Sequence, residues 1–371
     1  MPPPRPRWET NKKQSPVKAQ KAQKLQKAKA ADEPSAPSIP FELQQLLLNI
    51  FKDSFAKRFA EDIKPLLQEV KGHLYNRNFT TAFGKIEYLE TYAARWSASR
   101  GLGYADLFWD LRTHLWYVRP NERPKEGETD ENEATNRRKM ICLGGGAGAE
   151  LVALAGFQKA VSNTDAGDVS DSPFKMEVVA VDIADWTSVV SNLTKHATMA
   201  PALSKYASAA IQAANGPLVT TEDLVVSYQQ QDILNADSDT LKTMLGDATL
   251  VTLMFTLNEL YSTSLSLTQK FLLNLTSTLS TGAMLLVVDS PGSYSTITLN
   301  GAEKKYPMQW LLDHTLLTQI GGDATGKQKA TEAQWEKVHE DESRWFRLNP
   351  DLRYPIELEN MRMQVHLYRR L

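Results

Sequence analysis

The segment that most constrains the fold of this chain is a glycine-rich turn between an apolar run and an apolar helical stretch. It reads MICLGGGAGAE over residues 140–150. In such a segment a buried strand ends at a turn with few β-carbons, and the following helix aims its free N–H groups at a ligand. The sequence therefore predicts an α/β domain with a nucleotide-cofactor site at this turn.

The spacing of the glycines fits two kinds of cofactor loop. Gly144, Gly146 and Gly148 match the G-x-G-x-G loop of S-adenosylmethionine (SAM) enzymes, and Gly145 lies in the same turn. Gly144, Gly146 and Ala149 also match the G-x-G-x-x-G/A dinucleotide fingerprint. The loop alone leaves three readings open, namely a methyltransferase, a dehydrogenase and an α/β domain that binds no nucleotide.

Residues at the ends of the next predicted strands favour SAM. A strand over 176–181 ends at Asp182, whose carboxylate can accept hydrogen bonds from both ribose hydroxyls of either cofactor. A third strand leads to Asp232 and Ile233, an acid and an apolar residue that suit the amino group and ring of adenine. We assign Phe255, at the end of the fourth strand, to the same cofactor site.

The alternation of strands and helices predicts a doubly wound sheet. Five apolar runs indicate parallel strands, over 140–143, 176–181, 224–228, 248–255 and 283–288. Two further runs, over 343–348 and 361–370, flank a turn-rich stretch and indicate a terminal antiparallel pair. Seven strands in this arrangement are typical of the class I (Rossmann-like) methyltransferase fold, whereas a dinucleotide enzyme would continue into a substrate domain.

Composition divides the chain into four parts. We expect a disordered basic tail and linker over 1–40, an N-terminal helical cap over 41–119, an acidic mobile loop over 120–137 and the SAM-binding domain over 138–371. Residues 1–31 carry nine Lys and Arg against one Glu, so the formal charge of −2 divides into +8 there and −10 elsewhere. A basic arm on an acidic body indicates an RNA contact or a nuclear or nucleolar address, with a solvated tail lacking any partner as the alternative.

Several classes of protein are disfavoured by what the sequence lacks. No apolar run approaches the roughly 20 residues that span a bilayer, and the first residues lack the apolar core of a secretory signal. The single cysteine, Cys142, excludes a disulfide within the chain and favours a reducing compartment. The six histidines show no metal-ligand spacing, so we predict no metal. No G-x-S-x-G elbow or phosphate-binding P-loop supports a hydrolase or a nucleoside triphosphatase.

Four segments of the chain resemble a known family. They are RWSASRGLGY at 95–104, LGGGAGAE at 143–150, VDIADW at 181–186 and WFRL at 345–348. Over residues 41–371 the chain resembles the fungal large-subunit (25S) ribosomal RNA uridine-N3 methyltransferases. The resemblance implies SAM-dependent methylation of a uridine ring nitrogen in ribosomal RNA. It further implies ribosomal RNA or a pre-ribosomal particle as partner and a location in the nucleus or nucleolus, with the cytoplasm as a second location. We expect a monomer.

One position departs from the general class I pattern. An acid usually stands two residues before the first glycine of the loop, and Cys142 takes that place here. The methionine ammonium of SAM therefore needs another acceptor. Backbone carbonyls of the loop are the first candidates, and Glu150 is a less favoured one because its place at a helix start also suits the helix dipole.

The proposed chemistry indicates further site residues. Uridine N3 carries a proton at neutral pH, so we expect Glu259 to accept it and Asn258 to donate to a flanking carbonyl. Glu259 can instead be a helix-start acid that only binds backbone donors. We expect RNA contacts from Arg95, Arg100, Tyr104 and Tyr261, the last by stacking on the base. Methylation of a protein or small molecule, and a non-catalytic role in ribosome assembly, stay open as alternatives.

Overall fold

The computed structural model describes seven stretches of the chain. They are residues 39–116, 137–163, 174–299, 302–318, 321–322, 328–329 and 333–371. The predictions for the basic tail and for nearly all of the acidic loop fall on residues outside these stretches.

A seven-stranded sheet organises the described part of the chain. The strands are β1 Arg137–Leu143, β2 Lys175–Asp182, β3 Leu224–Gln230, β4 Leu250–Met254, β5 Met284–Asp289, β6 Tyr294–Leu299, β7 Ala302–Pro307, β8 Gly321–Gly322, β9 Gln328–Lys329, β10 Trp335–Phe346 and β11 Met361–Arg370. Across the sheet the order is β10-β11-β5-β4-β1-β2-β3, while β6 pairs with β7 and β8 with β9. Within the seven-stranded sheet, β11 is antiparallel to β5 and β10 and the other neighbours are parallel, while the β6–β7 and β8–β9 pairs are antiparallel. The predicted seven-stranded fold with its terminal antiparallel pair is confirmed.

Strand β10 is much longer than the apolar run that predicted it. It starts at Trp335, and its register with β11 shifts between Lys337 and His339 and again between Asp341 and Arg344. The strand lies at the edge of the sheet, where charged side chains are common and bulges are tolerated. Because its residues are largely charged and its register is irregular, β10 lacks the alternation of apolar and polar residues that would predict its full length.

Helices fill both faces of the sheet. They are α1 Phe41–Ser54, α2 Ala56–Ala60, α3 Lys64–Tyr75, α4 Phe79–Ala82, α5 Ile86–Tyr92, α6 Ala98–Asp110, α7 Arg112–Leu115, α8 Ala149–Ser162, α9 Thr187–Thr198, α10 Ala209–Ala214, α11 Ser238–Leu245, α12 Leu257–Thr263, α13 Leu265–Thr278 and α14 Met308–Leu317, and a π-helical turn, Ala93–Ser97, joins α5 to α6. Among the described residues, no helix combines the length and apolar character needed to cross a membrane.

The sequence predicts the last helix of the cap over about 104–117, whereas α6 begins at Ala98, six residues earlier, and contains Gly101 and Gly103. A β-carbon at Gly101 would lie 3.2 Å from the Phe51 ring, and one at Gly103 would overlap Met361. The glycines thus permit close packing of α6 against α1 and β11 rather than ending the helix. This packing carries the N-terminal end of α6 to the sheet.

The sheet separates two hydrophobic layers. Successive side chains of a strand point to opposite faces, so Met140 and Cys142 face the layer with α1, α6, α8 and α9. Ile141 and Leu143 face the layer with α11, α13 and α14. Burial on both faces explains why β1, β2, β4 and β5 contain continuous apolar runs in the sequence, whereas the edge strand β3 is mostly not buried.

Candidate active site

A cavity of about 910 Å³ opens at the carboxyl ends of the parallel strands. Strand β1 pairs with β2 on one side and β4 on the other, which makes this edge the point where the strand order reverses. Open α/β sheets bind ligands at such a point. The predicted residues that line the cavity are Gly144, Asp182, Asp232, Ile233, Phe255, Asn258, Glu259, Arg100 and Tyr104, and those that do not are Gly145, Gly146, Gly148, Arg95 and Tyr261.

The glycine turn is packed tightly by the side chains around it. Gly144 has φ +76°, and its N–H donates to the Val181 carbonyl at 2.8 Å. A β-carbon at Gly144 would overlap Thr256, and one at Gly146 would overlap the Trp186 ring. These two residues must therefore be glycine because of the protein's own packing, and Gly144 presents its bare backbone to the cavity.

Asp182 ties the glycine turn to the end of β2. Its two oxygens accept from the N–H groups of Gly146 and Ala184, both at 3.3 Å. Burial raises the pKa of this carboxyl, and the hydrogen bonds oppose that rise. Each oxygen has a further lone pair, so the carboxylate can also accept from a pair of ligand hydroxyls.

The next strand end supplies an acid and an apolar surface. Asp232 accepts from the Leu234 N–H at 3.0 Å and from the Asn235 amide at 2.7 Å, which fixes its carboxylate. Ile233 is buried beside it in the cavity wall. The pair can accept from a donor on a flat heteroaromatic ring and cover its face.

Phe255 occupies a strained position at the end of β4. Its φ is +56°, in the left-handed region that non-glycine residues rarely adopt. Its N–H donates to the Val288 carbonyl at 2.7 Å, and the Arg100 guanidinium lies 4.8 Å from the centre of its ring. Strain of this kind costs on the order of 1–3 kcal/mol and occurs mostly at functional sites.

The two predicted catalytic residues follow Phe255 and differ in their surroundings. The Asn258 N–H donates to Asp289 at 3.0 Å, while its buried Oδ1 has no hydrogen-bond partner among the described residues. Both oxygens of Glu259 accept from Arg77, at 2.9 and 2.8 Å, at the cavity rim. Arg77 itself has φ +54°. The side-chain oxygen of Asn258 is thus ready for a ligand, whereas Glu259 is engaged in an ion pair.

The predicted RNA contacts are mostly inside the protein. Tyr261 is 4% exposed and packs in the layer with α14, which contradicts its predicted stacking on a base. Tyr104 is buried in the cavity wall beside Phe255, and Arg100 donates to the Tyr92 hydroxyl at 2.7 Å within the same wall. Arg95 lies outside the cavity and donates to Glu359 at 2.6 Å.

Two further residues of the cavity bear on its chemistry, Asp289, which the sequence indicates, and Arg77, which it does not. Asp289 ends β5 and accepts from the Asn258 and Ser290 N–H groups and from the Ser293 hydroxyl, and burial raises its pKa. The sequence predicts that the loop beginning at Asp289, directly after the fifth apolar strand, lines the substrate pocket, and Asp289 does line the cavity. Arg77 carries no such signal because only tertiary packing brings it to the rim. In the described part of the chain, no group of three or more His, Cys, Asp or Glu is arranged to hold a metal ion.

Comparison with known proteins gives a family and a relative. Residues 51–369 match the Methyltransf_34 family, described as SAM-dependent methyltransferase. The chain is 33% identical over 344 residues to the 25S rRNA (uridine(2843)-N(3))-methyltransferase of Saccharomyces cerevisiae, which covers 87% of this chain and 85% of that protein.

Solved structures show a weaker likeness. A SAM-dependent methyltransferase from Clostridium acetobutylicum aligns with TM-score 0.34 and 9% identity, over 72% of this chain and 90% of that one. One from Methanosarcina mazei aligns with TM-score 0.32 and 10% identity, over 64% and 93%. Scores this low carry no argument about this chain.

Proposed function

The chain belongs to the Methyltransf_34 family of SAM-dependent methyltransferases, and from this premise we propose that it methylates N3 of a uridine in large-subunit ribosomal RNA. The observation that carries the proposal is the 33% identity, over 87% of the chain, to a yeast enzyme named for that reaction. No second substrate class has a comparable observation in its favour.

The cavity residues fit SAM in chemical terms. Asp182 suits the ribose hydroxyls, and Asp232 with Ile233 suits the adenine amino group and ring. The tight glycine turn lets the cofactor approach the backbone. When bound, SAM supplies an activated methyl group on its sulfonium. The protein's share of the reaction is to position the acceptor nitrogen and to assist the loss of its proton.

Asn258 is our choice for orienting the uracil ring. Its unpartnered buried Oδ1 can accept from uracil N3–H, and its NH₂ can donate to a flanking carbonyl. The Asp289 carboxylate accepts a hydrogen bond from the Asn258 backbone N–H and so helps to fix the position of Asn258. Two carboxylates, Glu259 and Asp289, line this end of the cavity as proton acceptors, and Glu259 would serve only after its contact with Arg77 opens.

Partner and location complete the proposal. The basic residues of the 1–31 segment support a contact with ribosomal RNA or a pre-ribosomal particle and a nuclear or nucleolar location, with the cytoplasm as a second one. We also propose a monomer without a bound metal.

Nucleoside mass spectrometry tests the function. Large-subunit RNA from cells that lack this protein is incubated with the purified full-length chain and SAM, then digested to nucleosides. We expect 3-methyluridine to rise from background to about one residue per RNA. Asp289→Asn and Glu259→Gln test the two acids, since loss of the proton acceptor should slow a single turnover at saturating SAM and change its dependence on pH, whereas loss of the Asp289 contact to Asn258 alone should slow it equally at every pH. Methylation of another base, or of protein alone, would contradict the proposal.

A further inference from the structure

We propose that Glu150 and Arg100 together bind the amino-acid end of SAM, with Glu150 taking the ammonium and Arg100 the carboxylate. The assignment rests on the SAM dependence in the proposed function and does not depend on which RNA is the substrate. It answers a question raised by the sequence, where Cys142 stands in place of the usual acid. Cys142 cannot replace that acid, because burial raises the pKa of its thiol and keeps it neutral.

Glu150 is a buried acid without a full set of partners. It lies in the first turn of α8, is 3% exposed and lines the cavity. Its Oε1 has no hydrogen-bond partner among the described residues. A buried carboxylate oxygen left without a partner is costly, so a cation that entered the cavity beside it would recover that cost.

The electrostatic surroundings of Glu150 call for a positive ligand. Its pKa is raised to about 7, chiefly by burial and to a smaller extent by the charge of Asp182, while a backbone hydrogen bond and the charge of Arg100 oppose the rise. Tyr104 and Cys142 also face Glu150, and both remain neutral because burial raises their pKa values. An ammonium near Glu150 and Asp182 would relieve the repulsion between two acids that the described side chains only partly neutralise.

Arg100 is held in a pose that leaves donors available. Its guanidinium lies 4.8 Å from the centre of the Phe255 ring and 5.9 Å from that of Tyr92. Among the described residues, its one hydrogen bond goes from Nη1 to the Tyr92 hydroxyl. A guanidinium has five N–H donors in a planar fork that matches a carboxylate, so most of them stay available for a ligand.

Arg100 and Glu150 are neighbours that do not neutralise each other. Each affects the pKa of the other, yet no ion pair within 4.0 Å joins them in the described structure. Both line the cavity beside Gly144. Two opposite charges that face one space without touching are complementary to a zwitterion, and the methionine end of SAM is one. The acid that the general class I pattern has at the end of β1 is therefore replaced in this chain by an acid at the start of α8.

Isothermal titration of the full-length protein with two probes tests the assignment. S-adenosylhomocysteine carries the amino-acid end, whereas 5′-methylthioadenosine shares the nucleoside and lacks that end. Glu150→Gln keeps the shape of the side chain and removes its charge, and Arg100→Met keeps much of its length. For both variants we expect S-adenosylhomocysteine affinity to fall at least tenfold and methylthioadenosine affinity to stay within twofold.

The controls separate a binding role from a structural one. Retained methylthioadenosine binding shows that a variant is folded. Glu42→Gln, the same change at an exposed acid in the first turn of α1 and outside the cavity, should leave both affinities unchanged. Equal S-adenosylhomocysteine affinity for the wild type and Glu150→Gln, or equal loss of both probes, overturns the assignment and leaves the methyltransferase proposal intact. Failure of the wild type to bind either probe overturns both.

Discussion

The burial of Glu150 predicts that Glu150→Gln stabilises the ligand-free protein at alkaline pH. Its pKa rises from the ordinary 4.5 to about 7 on folding, chiefly through burial. Below pH 4.5 both states hold the proton, and the charge costs the folded state nothing. Between pH 4.5 and pH 7 the acid ionises in the unfolded state but keeps its proton in the folded state, so the stability of the folded state falls by about 1.36 kcal/mol per pH unit. Above pH 7 this loss of stability levels off at about 3 kcal/mol. The amide has its own burial cost, so we expect a net gain of about 2 kcal/mol.

Urea unfolding of the wild type and Glu150→Gln at pH 4.5 and pH 8 measures this gain. The difference in unfolding free energy between the two proteins should be about 3 kcal/mol larger at pH 8 than at pH 4.5, because the burial cost of the amide is the same at both pH values. Saturating S-adenosylhomocysteine at pH 8 should remove or reverse the difference, because it stabilises the wild type more. A gain that did not depend on pH, or a loss of stability at pH 8, would refute the claim that Glu150 is an uncompensated buried acid.

Three further changes, two in the site and one in the N-terminal tail, test other parts of the proposed function. Gly146→Ala places a methyl against the Trp186 ring. Calorimetric titration should then show at least tenfold weaker S-adenosylhomocysteine binding, and thermal unfolding should show a stability loss of about 1–3 kcal/mol. Asn258→Ala should slow single-turnover 3-methyluridine formation at least tenfold with cofactor affinity within twofold, and a normal rate would exclude its role in orienting uracil. Deletion of residues 1–40 should weaken ribosomal RNA binding and flatten its salt dependence without changing cofactor affinity, and an unchanged salt slope would exclude the basic tail as an RNA contact.

The sequence predicted the parts of the fold that local pattern controls. The parallel strands β1, β2, β4 and β5 are buried on both faces toward their carboxyl ends, so each contains a continuous apolar run. The early start of α6 and the true length of β10 escaped prediction, because close packing keeps two glycines inside the helix and an edge position permits charged residues in the strand. The β6–β7 pair also lacked an apolar signal.

The candidate site also contains residues that could be found from their position along the chain and residues that could be found only from the folded structure. Acids that directly follow strands, such as Asp182 and Asp232, necessarily lie at the carboxyl edge of the sheet, so position along the chain was sufficient to find them. The direction of a side chain on a short helix depends on its rotation, and Tyr261 turned toward the core instead of the cavity. The position of Glu150 at a helix start could be read from the sequence, but its burial, which distinguishes a ligand-binding acid from a helix-start acid, could not.

Reverse transcription of large-subunit RNA from living cells tests the central claim most directly. A methyl group on N3 blocks the pairing edge of uracil, so the transcript stops beside the modified base. We predict one stop, at a uridine, in cells that contain the wild-type chain, and loss of that stop when the chain is deleted or replaced by Gly146→Ala. An identical pattern of stops with and without the chain would contradict the assignment to ribosomal RNA uridine-N3 methylation.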